Sequence, residues 1–119
     1  MRNVKIAAIQ MQCSTNLQAN LEKAEKMVRQ AAGDGAQIIL LPELFEREYF
    51  CQQRRYDFYH LAKPVEENDA VQMGMRLAKE LNVVLPVSFY EQDVNTLYNS
   101  IACIDADGTL LGVYRKTHI

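Results

Sequence analysis

Two charged residues stand where a fold can use them. Glu43 comes directly after the apolar run Ile38-Ile39-Leu40-Leu41 and Pro42. Lys116 comes two residues after a second apolar stretch at 110–114. Each lies just past the carboxyl end of a predicted strand, the place where open α/β sheets gather their chemistry. If both ends fall on one edge of a sheet, a carboxylate and an ammonium share a crevice. The carboxylate can then take a proton from a nucleophile or from water, and the ammonium can stabilise negative charge developing on oxygen. A structural ion pair, or two unrelated surface charges, fits the same residues, because ion pairs outnumber catalytic ones. The other candidates carry less. His60 and His118 are isolated and lack metal-ligand spacing. Cys13 and Cys103 read as small buried apolar residues, and Cys51 sits in an aromatic stretch that can face a pocket. The five glycines match no phosphate-binding fingerprint.

The elements that must position this pair follow from pattern. Residues 4–11 read as a first strand. Cys13-Ser14-Thr15-Asn16 offers helix caps, with Gln18 placed for a capping box on Thr15. Leu17, Leu21, Ala24, Val28 and Ala31 then recur as one helical stripe. Gly33-Asp34-Gly35 stops that helix, and residues 38–41 form a second strand with the look of burial on both faces. Strand, helix and strand make a right-handed βαβ unit with parallel strands. Residues 44–63 show no clean period and are rich in aromatics, which fits a binding loop or a loop packed down by its rings. Asn68 or Asp69 caps a second helix that runs to about Leu81, with Val71, Met75, Ala78 and Leu81 as its buried stripe. Strands follow at 83–90, 97–104 and 110–114, the last two forming an antiparallel hairpin across Asp105-Ala106-Asp107-Gly108. Pro86 marks an edge, bulge or bend in the first of these. Beyond Tyr114 the chain stops without helix or cap, which reads as truncation.

Composition narrows the function classes. The chain has 119 residues, 49% of them apolar and 24% charged, enough for one core in an ordinary globular protein. A net charge of -2 leaves no basic excess for nucleic acid. No apolar run is long enough to cross a membrane, and the start of the chain lacks a signal-peptide pattern. Three widely spaced cysteines, with no Cys-x-x-Cys pair, argue against a disulfide framework or zinc site and fit a reducing cytoplasm.

Four phrases, in order, resemble the amino-terminal part of the nitrilase superfamily of carbon–nitrogen hydrolases. They are Ile6-Ala7-Ala8-Ile9-Gln10-Met11, Ile39-Leu40-Leu41-Pro42-Glu43-Leu44-Phe45, Leu97-Tyr98-Asn99-Ser100 and Tyr114-Arg115-Lys116-Thr117-His118. Longer phrases resemble its N-carbamoylputrescine amidase branch: Glu43-Leu44-Phe45-Glu46, Tyr49-Phe50-Cys51-Gln52 and Leu85-Pro86-Val87-Ser88-Phe89-Tyr90-Glu91. The resemblance implies an α/β fold, part of a four-layer α-β-β-α sandwich, with a mixed sheet and helices on one outer face. Residues 1–119 would be the amino-terminal portion of one such domain. It implies a Glu–Lys–Cys triad in which Glu43 is the general base and Lys116 stabilises the oxyanion. The nucleophilic cysteine of the family lies further along, in a Cys-Trp phrase, and none of Cys13, Cys51 and Cys103 matches it. The implied reaction cleaves the ureido C–N bond of N-carbamoylputrescine to putrescine, carbon dioxide and ammonia, with no metal or organic cofactor. The implied partners are a small ureido or amine substrate and further copies of the intact chain. For the substrate's distal ammonium, Glu46, Glu48, Tyr49 and Phe50 are the expected contacts, as an acidic and aromatic wall suits a cation. The alternatives are a noncatalytic binding or partner-interaction module of the same fold, and another superfamily amidase such as a β-ureidopropionase-like enzyme.

Overall fold

The structure, a computed structural model, describes residues 1–48 and 61–118. Strand β1 (Ile6–Ala8) leads into helix α1 (Leu17–Gly33) and strand β2 (Ile38–Leu40). After a 3-10 turn at Val65–Glu67 come helix α2 (Asp69–Leu81) and strands β3 (Leu85–Asp93), β4 (Thr96–Ile104) and β5 (Leu110–Arg115). β1 and β2 pair in parallel, so the first three elements form the expected βαβ unit. β3, β4 and β5 form an antiparallel meander.

Proline accounts for the single backbone bridge that joins the two sheets among the described residues. Val84 donates its N–H to Gln37 and accepts from Ile39, which sets β2 beside the start of β3. Backbone groups alternate sides along a strand, so the next residue to face β2 is Pro86, which has no N–H to give. The sequence expectation of an edge or bend at Pro86 thus has a structural counterpart: the ladder toward β2 stops there, and that toward β4 continues.

Both helices cover the same face. Asn16, not Thr15, caps α1 by accepting from the Ala19 N–H, and Gln18 turns instead to Glu22. Asn68 caps α2 through the Val71 N–H, and Asn82 ends it in the left-handed region. The buried arc of α2 is Ala70, Val71, Met73, Gly74, Leu77 and Ala78, so the expected stripe is rotated: Met75 and Leu81 lie at its margin. Gly74 fixes that rotation. A Cβ there would come within 2.7 Å of Val87 Cγ2 and 2.9 Å of Ile104 Cδ1, so only glycine lets the helix approach the sheet this closely.

The core joins Ala24 and Val28 of α1, Ile39 of β2, Leu77 and Ala78 of α2, and Leu85, Val87, Phe89, Ala102 and Ile104 of the meander. The opposite face of the sheet has no such cover among the described residues. Ile6 is 72% exposed, Leu40 44% and Tyr114 62%. Burial of β2 on both faces is therefore corrected: Ile39 is buried, whereas its neighbour Leu40 points away from the helices into the open. Cys103 is likewise exposed, not buried, because it alternates with core-facing Ala102 and Ile104 along β4.

Candidate active site

The chain leaves β2 at Leu40, and two residues outside any regular element carry it to the turn that begins at Glu43. Leu44 then takes a positive φ of 51°, a rare conformation for a residue with a branched side chain. Two contacts hold it. Its side chain is buried, and its N–H donates 2.9 Å to Ser88 Oγ on β3. Strained backbone persists where the surroundings over-determine it, and here that backbone adjoins the carboxylate of interest.

Glu43 and Lys116, 73 positions apart, meet on the open face. Lys116 Nζ lies 2.8 Å from Glu43 Oε1. Asn99 Nδ2 donates to the same oxygen at 2.7 Å, and the Asn99 carbonyl accepts from the Lys116 N–H at 2.8 Å. Both charged side chains are about two-fifths exposed, at 41% for Glu43 and 40% for Lys116. They line a cleft of about 250 Å³ whose walls include Leu40, Ser88, Ile101 and Tyr114. The Lys116 ammonium, opposed by partial burial and assisted by Asn99, holds the Glu43 carboxyl below its ordinary value. Glu43 is therefore ionised at neutral pH. The arrangement offers an anionic proton acceptor beside a cation in a largely apolar cleft, the charge pattern that acyl-transfer chemistry needs.

The remaining predicted residues are not gathered here. The Glu46 carboxylate accepts from Asn68 Nδ2 at 3.0 Å and lines a separate pocket with Lys63, Asp69 and Tyr90. Burial pushes the Glu46 carboxyl above its ordinary value. Its backbone carbonyl accepts from buried Asn20, which also bridges to Ser14, so this turn is tied to α1 and α2 together. Glu48 is exposed. Tyr49, Phe50, Cys51 and His60 lie outside the described residues. Cys13 is half-buried, and burial raises its thiol above the ordinary value, away from the reactive thiolate. His118 is exposed. No cluster of metal-ligating side chains occurs among the described residues.

Sequence reading passed over Asn99 and Ser88. A signal for Asn99 was present: Asn99-Ser100 interrupts the apolar pattern of a strand, and each buried polar side chain there must find a partner. Ser88 lies on the same face of the sheet in β3, opposite Ile101.

Comparison with known proteins gives the family. The carbon-nitrogen hydrolase family profile matches residues 5–119. An N-carbamoylputrescine amidase from Arabidopsis thaliana is 51% identical over 118 residues, which is 99% of this chain and 40% of that protein. A citrullinase from Francisella tularensis is 48% identical over 119 residues, 100% of this chain and 42% of its own length. Among solved structures, a carbon-nitrogen hydrolase from Helicobacter pylori superposes with a TM-score of 0.87 at 26% identity, covering 98% of this chain and 40% of that one. The chain thus spans about two-fifths of the length of these relatives.

Proposed function

The chain belongs to the carbon–nitrogen hydrolase family, and on that premise we propose that it supplies the general base and the oxyanion cation of an amidohydrolase. The observation that carries this reading is the Glu43–Lys116 contact at 2.8 Å inside an apolar cleft. Residues 1–119 are the amino-terminal part of a single hydrolase domain, and the nucleophilic cysteine of a Glu–Lys–Cys triad comes from sequence beyond them in the intact protein. The intact protein works in the reducing cytoplasm, needs no cofactor, and forms homo-oligomers.

The substrate is N-carbamoylputrescine, in keeping with the names of relatives about half identical to this chain. The cysteine sulfur attacks the ureido carbonyl carbon while Glu43 takes the thiol proton. Lys116 holds the oxyanion of the tetrahedral intermediate. Collapse expels ammonia, which leaves with the proton that Glu43 held, and a carbamoyl thioester remains. Glu43 next takes a proton from water as the water oxygen attacks that carbonyl. The thiol is restored, and the released carbamate falls apart to putrescine and carbon dioxide. Covering the half-exposed carboxylate in the intact fold would raise its pKa and make it a stronger base.

Glu46, Glu48, Tyr49 and Phe50 are proposed to meet the distal ammonium. Glu46→Gln and Glu48→Gln in the intact enzyme should each raise KM for the cationic substrate; unchanged KM in both removes the acidic part of this wall. A second reading is favoured by the citrullinase likeness: citrulline carries the same ureido group on an amino-acid end, so only the distal contacts would differ. Ammonia release by the intact protein from N-carbamoylputrescine, citrulline and a β-ureido acid separates these cases. The isolated 119-residue segment is expected to release none, and steady turnover by it would contradict the assignment of the nucleophile. No turnover of any ureido or amide compound by the intact protein would favour a noncatalytic binding module.

A further inference from the structure

We propose that Asn99 is a positioning residue for this reaction: it holds one oxygen of Glu43 and the backbone of Lys116, and so reserves the other Glu43 oxygen for the proton. The inference rests on the reading of Glu43 as base. Three hydrogen bonds carry it. Asn99 Nδ2 donates 2.7 Å to Glu43 Oε1, Lys116 Nζ donates 2.8 Å to that same oxygen, and the Lys116 N–H donates 2.8 Å to the Asn99 backbone carbonyl, a bond that any residue at this position keeps. Among the described residues Oε2 receives no hydrogen bond.

A carboxylate oxygen with two charge-stabilising donors is a poor place for a proton, so the proton goes to Oε2. Without Asn99, the Lys116 ammonium alone fixes the carboxylate, through a long side chain with rotatable donors. Asn99 removes that freedom because it sits 5% exposed on a paired strand, opposite Tyr90 in the register of β3 and β4. Its carbonyl also fixes where the backbone of Lys116 leaves β5. The residue type matters as much as the place. A carboxamide donates without carrying charge, whereas an aspartate of the same shape would set a second anion against Glu43.

The test uses the intact protein carrying Asn99→Leu or Asn99→Asp, both close in shape to asparagine. Ammonia release is followed against pH, and the Glu43 carboxyl is titrated by carbon NMR without substrate. Asn99→Leu should lower kcat about 10- to 100-fold, with KM within about threefold. The acid limb of kcat/KM and the Glu43 titration should both move to higher pH. Asn99→Asp should lower kcat at least as far. A merely structural asparagine predicts something else: activity lost in step with folded protein, and an acid limb that stays in place. That result, or an unmoved Glu43 titration in both variants, overturns the proposal. Lack of turnover by the unsubstituted protein overturns instead the functional reading, and the substrate-free titration still tells whether Asn99 governs the Glu43 carboxyl.

Discussion

The end of β5 carries two cations in succession, Arg115 and Lys116, and each has a glutamate partner on a different face of the same sheet. Strand alternation makes the division. Ser100 and Arg115 oppose each other on the helix-covered face, and there Glu91 accepts from Arg115 Nε and Nη2, both at 2.9 Å, and from Ser100 Oγ at 2.7 Å. Arg115 also reaches Asp93 at 2.7 Å and lies 3.9 Å over the Tyr98 ring. Asn99 and Lys116 serve Glu43 on the open face. The Glu91 side chain is 6% exposed with both oxygens engaged; the Glu43 side chain is 41% exposed with its donors on one oxygen. A buried carboxylate gripped on both oxygens by an arginine fork is a fastener, since the fork holds its charged form. An anchored carboxylate on a cleft, with one oxygen that accepts nothing from the described residues, can do acid–base work.

The sharpest way to break this contrast is to make the open-face pair resemble the covered one. Lys116→Arg in the intact protein keeps the charge but offers a planar fork that can engage both Glu43 oxygens. Activity should fall about 100- to 1000-fold, the scale for losing an oxyanion donor, while thermal stability changes little. Wild-type-like turnover would show that a free Glu43 oxygen is not needed. The reciprocal change, Arg115→Lys, leaves Glu91 buried with a point-charge partner. It should lower the denaturation midpoint in a denaturant titration. The exposed side of Arg115 keeps the loss below that of breaking a fully buried pair. An Arg115→Lys protein of unchanged stability would mean that the covered pair does not fasten the sheet.

Acid should separate the carboxylates by sign. Arg115 holds the Glu91 carboxyl below its ordinary value of 4.5, against the effect of burial and with help from Ser100. The unfolded chain therefore takes up this proton at higher pH than the folded one. The stabilisation from Glu91 is complete above about pH 4.5 and is lost as pH falls through the lower folded value. Glu46 runs the other way. Burial raises its carboxyl above 4.5, so its contribution is complete below that pH and is lost as pH rises through the folded value. Glu46→Gln keeps an acceptor for Asn68 and removes the buried charge. It should stabilise the fold slightly at pH 7, within about 1 kcal/mol, and change nothing at pH 4. A destabilised Glu46→Gln at pH 7 would show that the charge itself holds the turn.

Much of this frame was legible in the sequence because it rests on local pattern. Periodicity, caps and turns gave the order of strands and helices, and proline at 42 placed Glu43 beyond a strand end. Two strand ends on one edge were one way for Glu43 and Lys116 to meet, and in the structure their side chains lie 2.8 Å apart. What stayed hidden depends on partners distant in sequence. The phase of α2 follows from the close approach of Gly74 to Val87 and Ile104. The positive φ of Leu44 depends on Ser88, 44 positions away. The engagement of Asn99 depends on the β3–β4 register, which its own neighbours do not determine. The exposure of Leu40 and Cys103 was missed for another reason: an apolar residue reads as buried in sequence, whether or not anything within these residues covers it.

In the proposed mechanism Glu43 receives the proton. The most direct test of that step is the rate of ammonia release from N-carbamoylputrescine by the intact protein against pH, with and without Glu43→Gln. The unsubstituted protein should lose kcat/KM as pH falls and the Glu43 carboxylate takes up a proton. Glu43→Gln, though folded, should be slower by about 100- to 10,000-fold with that acid limb gone. A folded Glu43→Gln protein that keeps a tenth or more of the activity, with the same acid limb, would contradict that mechanism.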